Sequence, residues 1–193
     1  MPSEGVIEFK GKDITYMPAH ERARLGIART YQLIHPLENL TMIENIMVGS
    51  IFAKGHSLKE ARIIALGLCD ELSLRDVDRD TSRLTILEIK KMEIARALAN
   101  EPEVLFLDEV MAGLNTEETK DIIAVVHKLA RERNVAIGVI EHVMGVIREL
   151  THRVMVMEAG EIIAEGKYED ISKNPRVIEA YLGGATDAET TKS

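Results

Sequence analysis

The sequence predicts an α/β protein in which helices flank a mostly parallel sheet and a helical subdomain is attached to that core. After Pro102, short apolar runs alternate with helical segments, which is typical of parallel strands joined by crossover helices. Three Ser/Thr-x-x-Glu capping boxes between residues 41 and 100 mark successive helix starts. The 193 residues are 46% apolar and 29% charged, so the chain can bury a core.

The first 34 residues predict a small antiparallel element followed by a strand of the core. Alternating or apolar runs flank the turn signal Gly11-Lys12, and this pattern is typical of a hairpin. Pro18 begins a short basic helix that ends at Gly26. The run IARTYQ after that glycine predicts a strand with Gln32 at its end.

Residues 35–100 predict the helical subdomain. Each of its three helices begins with a hydroxyl residue followed three positions later by glutamate, at Thr41/Glu44, Ser57/Glu60 and Thr85/Glu88. The predicted helices cover 41–54, 57–72 and 85–100. The charged stretch 75–83 has no apolar period and predicts a solvent-facing connection.

Residues 101–184 predict alternating strands and helices. The apolar runs EVLFLDE, VAIGVIE and RVMVM predict strands of one parallel series, with helices over 116–133 and 143–150 between them. The segment EAGEIIAEG predicts a hairpin and PRVIEAYLGG a closing helix. Residues 185–193 predict a disordered tail.

Composition excludes several classes of protein. The single cysteine, Cys69, cannot form an internal disulfide, and no secretory signal pattern opens the chain, so we expect a cytoplasmic protein. The longest apolar runs are too short to cross a bilayer, which predicts no membrane insertion. A formal charge of −8 and the absence of Trp argue against nucleic acid as a partner.

The residues after two of the apolar strands are the first candidates for chemistry. Asp108 and Glu109 follow the run VLFL, and Glu141 and His142 follow VAIGVI. Parallel neighbours would bring all four residues to the edge of the sheet where open α/β sheets bind ligands. From the residues alone, an ordinary strand that ends in a polar turn stays open as the alternative.

Five motifs in order resemble the nucleotide-binding subunits of ABC transporters. The resemblance runs from about residue 5 to residue 184. In chain order the motifs are RTYQ with Gln32 (the Q-loop), LTILEIKKMEIARALA (the signature motif and its helix), VLFLDE (Walker B), AGLN (the D-loop) and His142 (the switch histidine). The segments ARLGIARTYQ, EVMAGLN and PRVIEAYLGG resemble the branched-chain amino-acid importers within that family. The implied fold is a P-loop NTPase-like ABC ATPase core.

The resemblance implies a role for each matched residue. Gln32 would contact the metal and the attacking water, Asp108 would hold Mg²⁺, and Glu109 would be the general base. Asn115 would lie across a dimer interface, and His142 would sense the γ-phosphate of ATP.

The signature motif would act across the dimer. Thr85 and Glu88 would bind the nucleotide held by a second ATPase subunit, because Thr85 keeps a hydroxyl at a helix start. Leu87 stands where the family has a glycine, so its side chain can obstruct that nucleotide. The implied cofactors are ATP and Mg²⁺. The implied partners are a second ATPase subunit and transmembrane permease subunits, which would hold the protein on the inner face of the cell membrane.

The chain departs from the family at the phosphate-binding loop. No G-x-x-x-x-G-K-[ST] is present, since Gly11-Lys12 and Gly166-Lys167 lack the remaining residues of the motif. That loop supplies most of the grip on the phosphates, so we expect impaired ATP binding. We also expect that about a quarter of the usual subunit precedes Met1, as in an N-terminally truncated product. The second hypothesis is therefore a non-catalytic, permease-docking fragment or regulatory module. A DNA-repair ATPase is disfavoured because no coiled-coil or zinc insertion is present.

Overall fold

The computed structural model describes residues 2–32 and 36–182. These residues form two compact units, one that ends at Ile140 and one that begins at Glu141. The domain boundaries expected after residues 34 and 100 stay predictions. The predicted tail, 185–193, lies outside the described residues.

A three-stranded parallel sheet forms the centre of the first unit. Its strands are β3 (Ile27–Arg29), β4 (Val104–Asp108) and β5 (Ala136–Ile140), in the order β3-β4-β5. In the register of the sheet Ala28 pairs with Leu105, and Asp108 pairs with Ile140. The predicted parallel neighbours are thus confirmed, and β4 and β5 end together at one edge. Strand β3 is shorter than predicted, because regular pairing stops at Arg29.

A hairpin and a short helix precede this sheet along the chain. Strands β1 (Glu8–Phe9) and β2 (Lys12–Asp13) pair antiparallel, as predicted. Gly11 has a φ of +72° in the turn between them, a conformation that glycine adopts at little cost. Helix α1 (Ala19–Arg24) follows, with Pro18 as its N-cap.

All three predicted capping boxes are present. They begin α2 (Met42–Lys54), α3 (Leu58–Glu71) and α4 (Ile86–Leu98). In each box the hydroxyl accepts a hydrogen bond from the glutamate amide, and the glutamate carboxylate accepts one from the amide of the capping residue. A short 3-10 turn, Thr81–Arg83, precedes α4. Helix α5 (Thr116–Glu132) begins with a fourth box at Asn115.

The core of the first unit lies among these helices and against the sheet. Met42, Ile43 and Ile46 on α2 are fully buried. In β4, Leu105 and Leu107 are fully buried, whereas Phe106 between them is 42% exposed. The continuous apolar run predicted burial on both faces of the sheet. The structure buries the face of Leu105 and Leu107 completely and leaves the ring of Phe106 partly open.

The second unit is built around an antiparallel hairpin. Its elements are α6 (Met144–Leu150), β6 (Val154–Glu158), β7 (Glu161–Gly166), α7 (Tyr168–Ile171) and α8 (Pro175–Leu182). Val156, Ile171 and Val177 form a small core. The run RVMVM was predicted as a strand of the parallel series, and this was wrong: it pairs antiparallel with β7. The tight turn at Ala159-Gly160, with φ of +48° and +86°, brings β7 directly alongside β6.

Candidate functional site

Two of the predicted site residues meet at the edge where β3 and β4 end. Glu109 directly follows β4, and Gln32 lies three residues beyond β3. The amide Nε2 of Gln32 donates a hydrogen bond to Oε2 of Glu109 at 2.6 Å. Residues 77 positions apart in the sequence are therefore joined, because the parallel sheet places the two strand ends next to each other.

The backbone of Glu109 is held in an uncommon conformation. Its φ is +45°, in the left-handed region. Its amide donates to the carbonyl oxygen of Ile140 at 3.0 Å, and its own carbonyl oxygen accepts from the Ala112 amide at 3.1 Å. The ammonium of Lys90, on α4, donates to the same carbonyl oxygen at 3.3 Å. Strained backbone of this kind persists where surrounding contacts determine it, often at functional sites.

Asp108, the predicted Mg²⁺ ligand, ends β4 beside the end of β3. Its amide donates to the Thr30 hydroxyl at 3.0 Å, and the Thr30 amide donates to the Phe106 carbonyl at 2.9 Å. Its carboxylate Oδ2 lies 3.4 Å from Nη2 of Arg29, whose guanidinium stacks 4.5 Å above the Tyr31 ring. The hydrogen bonds of Thr30 thus continue the connection between β3 and β4 beyond Arg29, the last paired residue of β3.

The carboxylate of Asp108 is of the type that Mg²⁺ accepts as a ligand. Among residues 2–32 and 36–182, no group of three or more His, Cys, Asp or Glu side chains could hold a metal ion by itself. Mg²⁺ is commonly held by one or two carboxylates together with the phosphates of its substrate. Asp108 supplies one carboxylate of that kind at the end of β4, and the roles of Asp108 and Gln32 as Mg²⁺ ligands stay predictions.

The two predicted residues of the signature motif form the start of α4. Thr85 is exposed, and its hydroxyl accepts from the Glu88 amide at 3.2 Å. Glu88 accepts from the Thr85 amide at 2.9 Å and also pairs with Arg79. Burial alone would raise the pKa of Glu88, but the hydrogen bonds from Thr85 and Arg79 outweigh it and hold the pKa below its ordinary value. Glu88 is therefore engaged within its own chain.

Asn115 caps α5. Its side-chain oxygen accepts from the amides of Glu117 and Glu118, both at 3.0 Å. The residue is exposed. Its predicted place at a dimer interface stays a prediction.

His142 lies two residues beyond β5, at the start of the second unit, and is exposed. The register confirms that β5 ends beside Asp108, through its last residue Ile140. The expected approach of the imidazole to the carboxylates stays a prediction.

Sequence reasoning missed Lys90, Thr30 and Arg29. Lys90 could have been noticed, because it interrupts a helical stripe whose other members, Ile94 and Leu98, are fully buried. Thr30 and Arg29 carry no comparable signal, since their roles depend on which strand lies beside β3.

A groove of about 500 Å³ lies on the first unit, between α1, α2, α4 and the end of β3. Phe52 and Tyr31 line it and are 71% and 55% exposed. Arg22 and Arg96 are basic residues of its wall, and Glu93, which pairs with Arg96 at 3.0 Å, lines it as well. The groove thus combines exposed aromatic side chains with basic ones.

No helix in the described parts of the chain has the length and apolar character needed to cross a membrane.

Two family models match the chain. The one described as "ABC transporter" matches residues 1–112, and the one described as "Branched-chain amino acid ATP-binding cassette transporter" matches residues 161–187. The first match includes Gln32, the segment 84–99 and the run VLFLDE, and the second includes β7, α7 and α8.

The similar proteins of known name belong to the same family as these two models. The chain is 36% identical over 198 residues to the probable branched-chain amino acid transport ATP-binding protein LivG of Archaeoglobus fulgidus, covering 96% of this chain and 76% of that protein. It is 34% identical over 199 residues to the high-affinity branched-chain amino acid transport ATP-binding protein BraF of Pseudomonas aeruginosa, covering 95% and 78%.

Among solved structures, the fold is similar to the ADP conformation of an ATP-binding cassette of an ABC transporter. The TM-score is 0.79 at 29% identity, with 94% of this chain and 78% of that one covered. The chain therefore belongs to the ATP-binding proteins of ABC transporters, in the group of the branched-chain amino acid transport ATP-binding proteins.

Proposed function

We propose that this protein hydrolyses ATP to drive the import of branched-chain amino acids. The observation that supports the proposal most is the 2.6 Å hydrogen bond between Gln32 and Glu109 beside Asp108. It joins the two residues that would orient and activate the attacking water. The solute is proposed by analogy with the branched-chain amino acid transport ATP-binding proteins LivG and BraF.

Each of these residues has a distinct chemical task. Glu109 accepts the proton of the water that attacks the γ-phosphate, so the water approaches as a better nucleophile. The Gln32 amide fixes the direction of the Glu109 carboxylate and keeps its own carbonyl oxygen for the water. Asp108 would hold Mg²⁺ through its carboxylate, and the bound ion would supply positive charge that offsets the charge developing on the phosphates.

The complete site needs a second subunit. Thr85, at the exposed start of α4, contacts the nucleotide held by the partner, where unpaired helix amides favour anions. Asn115 lies at the contact between subunits, and His142 contacts the γ-phosphate. Glu88 supports this arrangement indirectly, because its cap and its pair with Arg79 hold the start of α4 in place.

The groove beside Gln32 receives the permease. Its exposed aromatic rings and basic wall suit an amphipathic helix with acidic or polar flanks. Gln32 follows Tyr31, which lines the groove, so movement of the bound helix reaches the Glu109 contact through adjacent residues. Docking here places the protein on the inner face of the cell membrane.

The 193-residue chain by itself binds ATP weakly, because no residue of it supplies the phosphate-binding loop. Thermal unfolding with millimolar Mg-ATP tests this. A site whose Kd is hundredfold below the ATP concentration would add about 2.7 kcal/mol to the free energy of unfolding. We expect a small fraction of that, and a full-size shift would contradict the proposal of weak binding.

Hydrolysis is tested in a chimera that adds a phosphate-loop segment from an ATP-binding relative ahead of the chain. We expect ATP turnover in the chimera and a loss of about 100-fold or more in Glu109→Gln, since a positioned general base contributes about 10²–10⁴-fold. Equal turnover of the two proteins would remove Glu109 from the role of base.

The same chimera decides the second candidate function, a non-catalytic module that docks on a permease. The groove and the missing loop motif favour it for the chain as printed. A chimera that binds Mg-ATP but does not hydrolyse it would support this module and overturn the ATPase proposal. Restored uptake of labelled leucine in a strain that lacks its own subunit would support the importer.

A further inference from the structure

Lys90 is a buried charge in the middle of α4. It is 3% exposed, and its helix begins at the Thr85 cap, five residues earlier. Its ammonium reaches the carbonyl oxygen of Glu109 at 3.3 Å. A charged donor in a buried setting forms a stronger hydrogen bond than a neutral one and is costly to bury without such a contact.

We propose that Lys90 is a positioning residue that holds the peptide of Glu109 in its left-handed conformation and so directs the Glu109 carboxylate at Gln32. The inference rests on the proposed role of Glu109 in hydrolysis. It adds a residue of the signature helix to the machinery of the same subunit.

Geometry favours this role for Lys90. Three contacts fix the main chain of Glu109: its amide is bound to the end of β5, and its carbonyl oxygen to Ala112 and Lys90. The hydrogen bond to Ile140 joins Glu109 to the same edge of the sheet, and the hydrogen bond from Ala112 lies in the turn that follows Glu109. Among these three, only the Lys90 contact comes from the helical region, so it ties α4 to the main chain that carries the Glu109 side chain. A rotation of α4 would thereby change where the Glu109 side chain points.

Lys91 offers a matched control. It is the next residue of α4, it is 9% exposed, and its ammonium lies 3.7 Å from Asp121 on α5. Replacing it removes a similarly buried lysine from the same helix without touching the Glu109 contact.

NMR of the full chain tests the positioning without nucleotide. In Lys90→Met we expect shifts of the Glu109 backbone amide and of the Gln32 side-chain amide, and a changed three-bond coupling at Glu109, which reports φ. Lys90→Arg, which keeps a charged donor, should restore both signals, and Lys91→Met should leave them unchanged. Unchanged Glu109 and Gln32 signals in Lys90→Met would overturn the proposal. If that variant does not fold, Lys90→Gln is measured in its place with the same expectation.

ATP hydrolysis by the chimera, which carries the full chain behind the added phosphate-loop segment, is the second measurement. Lys90→Met should lower kcat by about ten- to a hundredfold with little change in KM, because misplacing a catalytic group affects the chemical step. Lys90→Arg should recover most of the loss. Unchanged kcat in a chimera that does hydrolyse ATP would overturn the role of Lys90 alone. Absence of hydrolysis in the unmutated chimera, with the NMR shifts present, would overturn the proposed function and leave the positioning of Glu109 supported.

Discussion

At the scale of single residues, Asn45 shows how one buried amide fixes a loop. It is fully buried on α2, and its oxygen accepts from the Leu37 amide at 2.8 Å. Its nitrogen donates to the carbonyls of Leu37 at 3.2 Å and Thr41 at 3.0 Å. Residues 37–41, which lead into α2, are therefore attached to the helix by the Asn45 side chain.

We expect Asn45→Ala to lower the free energy of unfolding by about 3 kcal/mol, because it leaves several buried polar groups unpaired at about 1–3 kcal/mol each. Urea unfolding measures the change. Asn134→Ala, at an exposed position, should stay within about 0.5 kcal/mol of the parent. If both variants lost a similar amount of unfolding free energy, the hydrogen bonds of Asn45 would not be the cause of the destabilisation.

At the scale of elements, α2 and α4 pack closely at Gly49. A Cβ there would overlap the carbonyl oxygen of Arg96 and come within 2.9 Å of Oδ1 of Asn100. Both neighbours belong to the end of α4 or directly follow it. The absence of a side chain at Gly49 therefore sets how near the two helices lie.

Gly49→Ala should lower the free energy of unfolding by about 1–3 kcal/mol, the usual range for overpacking. Gly67→Ala on α3 is the matched substitution, because nothing lies within 4 Å of its added Cβ. It should raise stability by about 0.5–1 kcal/mol, since alanine favours helix more than glycine does. Chemical unfolding of the two variants gives opposite signs if the packing is as described, and the same sign if it is not.

The ends of α3 and α5 are joined by an ion pair between Glu71 and Arg133. The guanidinium Nη2 lies 2.5 Å from Oε2, and Nε lies 3.1 Å from Oε1, so the contact is bidentate. The hydrogen bond from Arg133 holds the pKa of Glu71 below its ordinary value of 4.5.

A depressed carboxyl pKa stabilises the folded state above the unfolded pKa, and the contribution is lost as pH falls through the folded value. We therefore expect Glu71→Gln to reduce the free energy of unfolding by about 1 kcal/mol at pH 7. The difference from the parent should shrink as the pH falls below 4.5. Urea unfolding of both proteins between pH 7 and low pH measures this difference. A difference that grows at low pH would contradict a lowered pKa of Glu71 in the folded state.

At the scale of the whole molecule, the carboxyls with lowered pKa values lie in one of the two units. Among the described residues they are Asp13, Glu44, Glu60, Glu71, Asp80 and Glu88. All of them lie before Ile140, in the first unit. Most accept hydrogen bonds from backbone amides at helix starts or turns, which favour the ionised form.

Each of these groups stabilises the fold above its unfolded pKa and ceases to do so below its folded one. As pH falls below about 4.5, we expect amide protection to fall in α2–α4 before it falls in the β6–β7 hairpin. Hydrogen exchange, corrected for the intrinsic pH dependence of the rate, measures both regions in one sample. Loss of protection in the hairpin first would contradict this distribution of charge.

The sequence by itself determined the features that depend on neighbours along the chain. The capping boxes at Thr41, Ser57 and Thr85 formed as predicted, because each needs only residues three positions apart. The apolar run before Asp108 likewise predicted β4 and the acidic pair at its end.

Tertiary structure decided what depends on residues far apart in the sequence. The Gln32–Glu109 contact, the left-handed Glu109 and the burial of Lys90 all require β3, β4, β5 and α4 to be in place together. The same holds for RVMVM, whose partner was set by a tight turn and not by its apolar pattern. The hydrophobic pattern of a segment predicts that the segment will be buried. Which other segment packs against it is decided by the free energy of the complete packed arrangement.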